Sequence, residues 1–498
     1  MKKITKAMLM SALLGGALSV SAKEETVVKN YETRIGQLQF ENDFENGIPT
    51  AKTSKMLFNE IDFQRACQAY IWSVPLMGFY EWMFIHDELG LERGQVVYHE
   101  SYQSKLGGLT FNTSTPYVVT YIDISKAPAL IEMPDAPVRG ATHSMWQVGL
   151  AQMTQPGKYL FVGPEMKLPS NLAEDIKVFQ SDTNHIFFGV RLTNDTHEKR
   201  MEDMAKIKIL NFTSGKAFSD KAPFFQKTGV DLKHPRGMQF WKSLHKAINL
   251  TPVREQDRIM IDFLRPLGIE IGKDFKPNSS QAKILKEAAF MGEAMTKNID
   301  FNKTERLPHA VYGGKESTWE IATASSPNQN RDKGVDLDGR AAWFYEAVTN
   351  DIAMHGLTNH SANPQGKNEG WGQVYLDNYR DDNGDGLNGS FHYKIEIPGD
   401  VKIANFFWTI TVYNINNRAI INNEIERADV GSNIEGTKKN SKGNYEFHFS
   451  PEKPKGVNEE NWVQTRKNEN WFVYFRAYSP TKDFVSRKID LPNFHRVK

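Results

Sequence analysis

The sequence predicts a mixed, mainly β fold in which a helical region separates two β-sandwiches. Three stretches of different texture lead to this prediction. Short β-branched and aromatic runs, divided by turn residues, fill residues 95–211 and return after Trp371, whereas apolar residues at helical spacing lie between residues 239 and 354. Runs of roughly four to eight such residues between Gly, Pro, Asn and Asp are typical of strands in sandwiches, and a period near 3.6 is typical of helices.

The first 22 residues have the pattern of a cleavable secretory signal. Lys2 and Lys3 precede an apolar run from Ala7 to Val20, and small residues lead to Ala22. A membrane anchor is the alternative, but a spanning helix needs about 20 predominantly apolar residues, and this run is shorter and interrupted by two glycines. We therefore predict cleavage after Ala22, a periplasmic or secreted location, and no membrane span.

The charge balance gives no reason to expect a polyanionic partner. The chain has 61 basic and 60 acidic residues, and loss of residues 1–22 removes three lysines, which leaves 58 against 60, or −2. Nucleic acids and anionic membranes select basic surfaces, so neither is an expected partner. A small-molecule ligand is expected, and a homo-oligomer stays open.

Residues 23–94 are expected to form an N-terminal arm and helices. The polar stretch up to Ser54 has no period and predicts an extended arm. From Lys55 the apolar residues recur at helical spacing, and Pro75 is expected to start a second helix because proline fits a first turn. The only cysteine, Cys67, falls in the apolar pattern, which predicts a buried thiol and excludes an intramolecular disulfide.

The remaining chain is expected to divide at residues 225 and 356. Residues 95–225 form the first sandwich in this prediction, residues 226–356 a mainly helical domain, and residues 357–498 the second sandwich. In the helical part, Thr251 followed by Pro252 predicts an N-cap, Ser279 and Ser280 precede a helix that reaches Asn298, and residues 340–354 predict another helix.

Short motifs in both halves resemble a known family. The first half carries Ala69-Tyr70-Ile71-Trp72, residues 112–117 leading into Tyr121-Ile122-Asp123-Ile124, and Gly157-Lys158-Tyr159-Leu160. The second half carries residues 377–389, Phe407-Trp408-Thr409-Ile410 and Phe475-Arg476-Ala477-Tyr478-Ser479-Pro480. Their order and spacing resemble an exported family with two tandem domains of unknown function, numbered 1254 and 1214.

The resemblance implies an immunoglobulin-like sandwich, a helical domain and a C-terminal jelly-roll sandwich. It implies no activity, because the family is named for lacking one. Where the family usually shows Asn-Xaa-Asp-Thr before the tyrosine, this chain has Asn112-Thr113-Ser114-Thr115. A role attached to that acid therefore does not carry over.

One loop has the alternating oxygen ligands of a calcium site. Asp381, Asn383 and Asp385 alternate before Gly386, but the position where such a loop carries a bidentate acid is His392. A solvated turn is the favoured interpretation and calcium the alternative. No other metal and no cofactor is expected.

Two groups of residues in the chain suggest proton or anion chemistry. His143 lies near Arg139, Trp146 and Gln147, where a histidine beside an arginine suits an acidic ligand. The alternative is a purely structural role, in which these residues form a loop at the edge of the sandwich and the tryptophan belongs to its core. A second group lies around the inter-domain stretch and consists of His355, Trp371, Tyr375 and Asp377. The bland alternative there is a polar connecting loop.

Aromatic residues crowd the C-terminal strands. Trp462 and Arg476 belong to this group, and an outward aromatic row beside an arginine offers stacking and hydrogen bonds to a sugar or an aromatic acid. Filling of the sandwich core is the equal alternative. No nucleophile elbow, zinc-protease helix or Walker-type loop occurs in the chain.

These observations favour a protein that binds a small polar or aromatic ligand, a sugar or an organic acid, in a cleft between domains. The competing hypothesis is a hydrolase whose acid–base pair comes from distant segments. His143 with Arg139, or His355 with Asp377 as its orienting carboxylate, are then the candidate catalytic pairs. A binding site needs a lined recess, whereas a catalytic site also needs two titratable groups converging in it.

Overall fold

A computed structural model describes residues 27–170, 172–322, 334–348 and 373–497, together with the backbone of residues 330–331, 360–362 and 369–371. The predicted signal sequence, His355 and the side chain of Trp371 lie outside the described residues. The chain divides into two compact units, Met1–Ile61 and Asp62–Lys498.

The first unit contains an antiparallel hairpin of β1 (Val28–Thr33) and β2 (Gly36–Glu41) and the start of helix α1 (Ala51–Glu88). The stretch predicted as an extended arm thus contains two paired strands. Glycine is suited to the hairpin turn because Gly36 has φ 109°.

Helix α1 is one element rather than two. Pro75 lies inside it, so the prediction that Pro75 starts a second helix was wrong. Two tertiary hydrogen bonds contact the helix at this point, since the side-chain amide of Gln147 donates to the Pro75 carbonyl at 2.7 Å and His234 Nε2 donates to the Val74 carbonyl at 3.1 Å. Cys67 is buried in this helix, as predicted.

Two sheets form the first sandwich. The larger sheet has the order β12-β3-β4-β10-β6-β7 and the smaller one the order β11-β5-β8-β9. The strands are β3 (Val97–His99), β4 (Tyr117–Asp123), β5 (Ala129–Met133), β6 (Val138–Ser144), β7 (Gly149–Met153), β8 (Gly157–Val162), β9 (Ile176–Gln180), β10 (His185–Leu192), β11 (Lys208–Asn211) and β12 (Phe224–Phe225). Strand alternation gives the larger sheet two buried faces, because Val118 and Ile122 of β4 pack in the sandwich core while Val119 and Tyr121 join the cluster around α1.

The helical region contains several helices separated by loops and 3₁₀ turns. The helices after α1 are α2 (Tyr102–Lys105), α3 (His197–Lys206), α4 (Met238–Ile248), α5 (Arg258–Leu264), α6 (Ser279–Phe301) and α7 (Leu337–Glu346), with 3₁₀ turns at Glu255–Asp257, Arg265–Leu267, Lys303–Glu305, Pro308–Ala310 and Glu459–Asn461. Thr251 and Pro252 do not begin a helix, since the chain becomes helical only at Glu255. Tyr70 of α1 packs on Phe240 and Trp241 of α4, and the Trp241 indole donates to the Leu285 carbonyl of α6.

The C-terminal region is a second two-sheet sandwich. Its sheets have the orders β13-β18-β24-β20-β21 and β23-β22-β19-β25. The remaining elements are β13 (Glu320–Ile321), β14 (Asn330–Arg331), β15 (Gly334–Val335), β16 (His360–Ala362), β17 (Glu369–Trp371), β18 (Gln373–Asn378), β19 (Tyr393–Ile397), β20 (Ala404–Asn414), β21 (Asp429–Gly431), β22 (Tyr445–Ser450), β23 (Trp462–Gln464), β24 (Trp471–Pro480), α8 (Lys482–Val485) and β25 (His495–Arg496). The pairs β14–β15 and β16–β17 form separate two-stranded sheets.

The predicted mixed, mainly β fold with a helical region is confirmed. No sheet of the described residues combines strands of the first sandwich with strands of the second. Among these residues, no helix has both the length and the apolar character that crossing a bilayer requires.

The α6 capping box provides a test of the local fold. Asn278, and not Ser279 or Ser280, is the N-cap, because its side chain accepts from the backbone N–H groups of Ser280 and Gln281 at 3.0 Å each while the Gln281 side chain accepts from Asn278 N–H. We expect Asn278→Ala to lower the free energy of unfolding by about 1 kcal/mol. Urea denaturation measures this free energy, with Ser279→Ala as the control. An equal decrease in the free energy of unfolding of both variants contradicts the assignment of Asn278 as the N-cap.

Candidate functional site

Three strands of the first sandwich present a nine-residue face toward a cavity. Antiparallel register places residues of β4, β10 and β6 side by side, and the middle row of this face is the smallest. The rows are Tyr117–Arg191–Arg139, Val119–Gly189–Ala141 and Tyr121–Phe187–His143. A Cβ at Gly189 would lie 2.8 Å from the Phe187 ring, so glycine allows that ring to lie over the strand. A small middle row between larger neighbours makes the face concave.

The second sandwich supplies the opposite wall of the cavity. Tyr375 of β18 and Arg476 of β24 line it, together with residues 109–112 and Val348. The cavity has a volume of about 90 Å³. Since one water needs roughly 10–15 Å³ by the same measure, the space suits a ligand of about six or more non-hydrogen atoms.

Arg476 is the most deeply buried cation of the cavity. Its guanidinium donates to the Thr110 carbonyl at 2.9 Å and to Thr411 Oγ1 at 3.1 Å, while its Nε has no hydrogen-bond partner among the described residues. No carboxylate of these residues lies within 4 Å of it. Burial opposes its charge, but the electrostatic influence of tyrosines such as Tyr413 and Tyr375 holds its pKa above the ordinary value.

Tyrosine rings surround the Arg476 guanidinium. Its central carbon lies 4.9 Å from the Tyr375 ring centroid, 5.0 Å from that of Tyr474 and 5.5 Å from that of Tyr413. Cation–π contacts of this kind stabilise a desolvated cation by about 2 kcal/mol. The arginine is therefore held charged without an ion pair to a carboxylate of the described residues.

The loop at residues 109–112 is strained where it meets Arg476. Thr110 has φ 42°, in the left-handed region that a β-branched residue rarely adopts. Three contacts hold it there, since its N–H donates to the Arg418 carbonyl, its hydroxyl donates to the Glu346 carbonyl and its own carbonyl accepts from Arg476. Strain of this kind is typical of sites whose geometry is fixed in advance.

Two further arginines lie on the first-sandwich wall. Arg191 donates to Gln373 Oε1 at 3.1 Å and lies 3.5 Å from the Tyr375 hydroxyl, so it spans the two walls. Arg139 lies directly across the strands from it and is exposed, with no ion pair to a described carboxylate. Like charges opposite one another destabilise a sheet, and an anion between them removes that cost.

A buried lysine supports the rim of the cavity. Lys105 Nζ donates to the Thr113 and Thr115 carbonyls at 3.2 and 2.8 Å and lies 5.3 Å from the Tyr117 ring centroid. Burial lowers the pKa of Lys105 to about 7. Its ammonium fixes the loop that contains Asn112, whose side-chain oxygen accepts from Thr115 N–H at 3.0 Å.

The floor of the cavity is apolar. Trp82 of α1, Phe111 and Phe187 line it, and Trp82 packs against both phenylalanine rings at centroid distances of 5.3 and 5.5 Å. Arginines at the walls and aromatic rings at the floor together suit a molecule with an anionic end and an apolar body.

Four residues predicted from the sequence meet at this cavity, namely Arg139, His143, Tyr375 and Arg476. His143 is almost fully buried and packs against Phe79 and Phe187. The structure thus brings these four residues together at one cavity, while their functional roles stay predictions.

Trp146, Gln147 and Trp462 do not line the cavity. Trp146 packs on Trp72 and beneath the Arg254 guanidinium, which lies 4.2 Å from its ring centroid, and Gln147 bonds the α1 backbone. Trp462 is buried in β23 and donates to the Ser450 carbonyl at 3.1 Å. These contacts are those of core residues.

Asp377 lies apart from the cavity lining. Lys303 Nζ is 2.8 Å from its Oδ2, and the side chain is fully buried. The predicted pair of Asp377 with His355 cannot be placed, because His355 falls outside the described residues. The hydrolase hypothesis therefore stays a prediction.

The predicted calcium loop is closed by its own first residue. Asp381 Oδ1 accepts from the backbone N–H groups of Asn383 and Asp385 at 2.9 and 3.0 Å. Asp381 is buried, whereas Asn383 and Asp385 are exposed. Metal binding at this loop stays a prediction.

Sequence reasoning missed Arg191, Tyr117 and Asn112 as cavity residues. Arg191 and Tyr117 become neighbours only through pairing of β10 with β4, some 70 residues apart, which no local pattern reveals. Alternation along β6 does place Arg139 and His143 on one face, and that signal was available.

The fold and cavity together define a two-sandwich protein with a ligand-sized recess between its sandwiches. Comparison with known families identifies both parts. Residues 95–210 match "Protein of unknown function (DUF1254)" and residues 372–482 match "Protein of unknown function (DUF1214)". The two matches follow one another along the chain, which confirms the resemblance seen in its motifs.

One solved structure shows a related fold, and a second matches with a lower score. The VPA0106 protein from Vibrio parahaemolyticus is 17% identical, covers 88% of this chain and 100% of its own, and has a TM-score of 0.51. A putative uncharacterized protein from Burkholderia cenocepacia is 10% identical, with coverages of 89% and 97% and a TM-score of 0.40. No curated protein matches the chain.

Proposed function

We propose that this protein binds a small organic acid in the cavity between its DUF1254 and DUF1214 domains. The observation that carries the proposal is the convergence of three arginines on one recess. Arg139 and Arg191 come from the first domain and Arg476 from the second.

Electrostatics favours an anionic ligand over a neutral sugar. A buried charge is costly unless it is paired, and Arg476 has no carboxylate within ion-pair distance among the described residues. A guanidinium bonds a carboxylate through two parallel N–H donors, which is among the strongest contacts available to a small ligand. An organic acid supplies the missing charge.

The cavity size and floor narrow the ligand class. About 90 Å³ of space over Trp82, Phe111 and Phe187 suits a planar or short-chain body. Contact between an aromatic ring of the ligand and the rings of the floor adds about 0.5–1.5 kcal/mol to the free energy gained from burying apolar area. Monocarboxylic acids with an aromatic or short aliphatic body are the proposed class.

Export is part of the proposal and rests on residues 1–22. Lysines before an apolar run and a small-residue end are the features of a cleaved signal. Mass spectrometry of the protein from its native host is expected to find a chain that starts at or near Lys23, and an intact Met1 on that protein contradicts export.

Thermal denaturation with matched ligands tests the binding proposal. Benzoate and short aliphatic acids are expected to raise Tm, whereas benzamide and the matching alcohols are not, because a ligand that binds only the folded state stabilises it and the anion is the recognised group. Arg139→Gln is expected to weaken binding by about tenfold to 100-fold, since a charge-assisted bond contributes about 1.5–3 kcal/mol.

Arg139 is a clean position for this variant because its side chain is exposed and makes no ion pair within the described residues. Arg258→Gln on α5 is the matched control, since Arg258 is equally exposed and pairs only with Glu255 there. Equal Tm shifts with acid and amide, or equal weakening in both variants, would contradict the proposal.

A further inference from the structure

A buried charge cluster lies where α6 ends, where α7 ends and where β18 runs beneath them. Lys303 Nζ is its centre, at 2.8 Å from Asp377 Oδ2, 3.1 Å from Glu320 Oε2 and 3.5 Å from Asp300 Oδ1. Glu346 completes it, with one oxygen accepting from the Tyr379 hydroxyl at 2.7 Å. Its other oxygen accepts from the Tyr474 hydroxyl.

The cluster has more acids than one lysine neutralises. Four ionised carboxylates and one ammonium carry a net charge of −3. Asp300, Glu346 and Asp377 are each at most 1% exposed, so water does not screen them. Either bound protons or a bound cation must supply the balancing charge.

The lysine leaves two carboxylate oxygens unused. It approaches one oxygen of Asp377 and one of Asp300, whereas Asp377 Oδ1 and Asp300 Oδ2 are buried without a hydrogen-bond partner among the described residues. Buried polar atoms are almost always satisfied, so two unused oxygens in one cluster indicate a missing partner.

The spacing of three of these carboxylates fits a cation. One ligand oxygen from each of Asp300, Glu346 and Asp377 lies within 4.8 Å of the other two. Ca²⁺ binds oxygens at about 2.3–2.6 Å, so oxygens on opposite sides of it are separated by up to about 5 Å. Mg²⁺ needs shorter bonds of about 2.0–2.1 Å and keeps its waters, which a site this buried does not favour.

We propose that Asp300, Glu346 and Asp377 form a binding site for a calcium-sized divalent cation. The ligand set is all oxygen, as hard cations require. The Tyr379 and Tyr474 hydroxyls and Lys303 hold the outer lone pairs of the ligands and so fix their orientation.

The cation has a structural role in this proposal. Asp300 belongs to α6, Glu346 to α7 and Asp377 to β18, so one ion links three elements that lie far apart in the sequence. The site does not depend on the organic-acid proposal, because none of the three carboxylates lines the cavity.

Terbium luminescence tests the site directly. Tb³⁺ substitutes for Ca²⁺ and is excited through nearby aromatic rings, which Tyr379 and Tyr474 provide. Protein treated with a chelator and dialysed at pH 8 is expected to show saturable emission that Ca²⁺ displaces, and Ca²⁺ is expected to raise its Tm. Asp300→Asn and Glu346→Gln are expected to weaken binding on the order of 100-fold.

Asp381→Asn is the matched control, because Asp381 is also buried but lies in the separate loop at residues 381–386. Two variants are used so that a folding defect in one leaves the other, and circular dichroism confirms the fold of each. Absence of saturable Tb³⁺ and Ca²⁺ effects in the wild type overturns the proposal and assigns the balancing charge to protons. Loss of binding in Asp381→Asn alone overturns it in favour of the loop.

Discussion

Burial of the Arg476 guanidinium is the constraint on which the candidate site depends. A charge taken out of water needs compensating contacts, and here they come from two directions. The Thr110 carbonyl belongs to the strained loop between β3 and β4 of the first sandwich, whereas Thr411 and the tyrosine rings belong to the second sandwich. The same residue therefore fixes the loop at the cavity and supplies the cation that faces the ligand.

Strand alternation explains why the C-terminal sheet carries this chemistry. One face of β18, β24 and β20 packs as the apolar sandwich core, with Leu376, Phe475 and Ile410 fully buried. The other face is equally buried but polar, and register places Tyr375 opposite Arg476 and Asp377 opposite Tyr474. That face thus has a cationic end at the cavity and an acidic end at Lys303, with Tyr474 between them. Buried polar groups need hydrogen-bond or charge partners. At the cavity end Arg476 has no ion pair to a described carboxylate, and at the acidic end the carboxylates outnumber the one lysine.

The sequence predicted the fold class well because the class depends on local signals. Short β-branched runs and turn residues identify both sandwiches, and the helical period identifies α1 and α6. Boundaries were predicted less well where a tertiary contact overrides a local preference. Pro75 lies inside α1, at a point where Gln147 donates to the Pro75 carbonyl from 72 positions away and His234 to the Val74 carbonyl from 160 positions away.

The candidate site was only half predictable for the same reason. Arg139 and His143 share a strand face, and Tyr375 and Arg476 were visible as polar residues in aromatic strands. Trp146 and Gln147 adjoin them in sequence, but β6 ends at Ser144 and Gln147 lies in a turn at φ 59° that directs the chain elsewhere. Arg191 and the acidic cluster arise from long-range pairing and helix packing, which a single sequence does not display.

A crystal of the protein soaked in 4-bromobenzoate shows where an aromatic acid binds, because bromine scatters anomalously and marks the ligand's position. We expect one bromine peak over the Trp82 and Phe187 floor, with the carboxylate within hydrogen-bond distance of Arg476 or Arg139. A cavity that holds only water at saturating ligand, or a carboxylate directed away from all three arginines, would contradict this expectation.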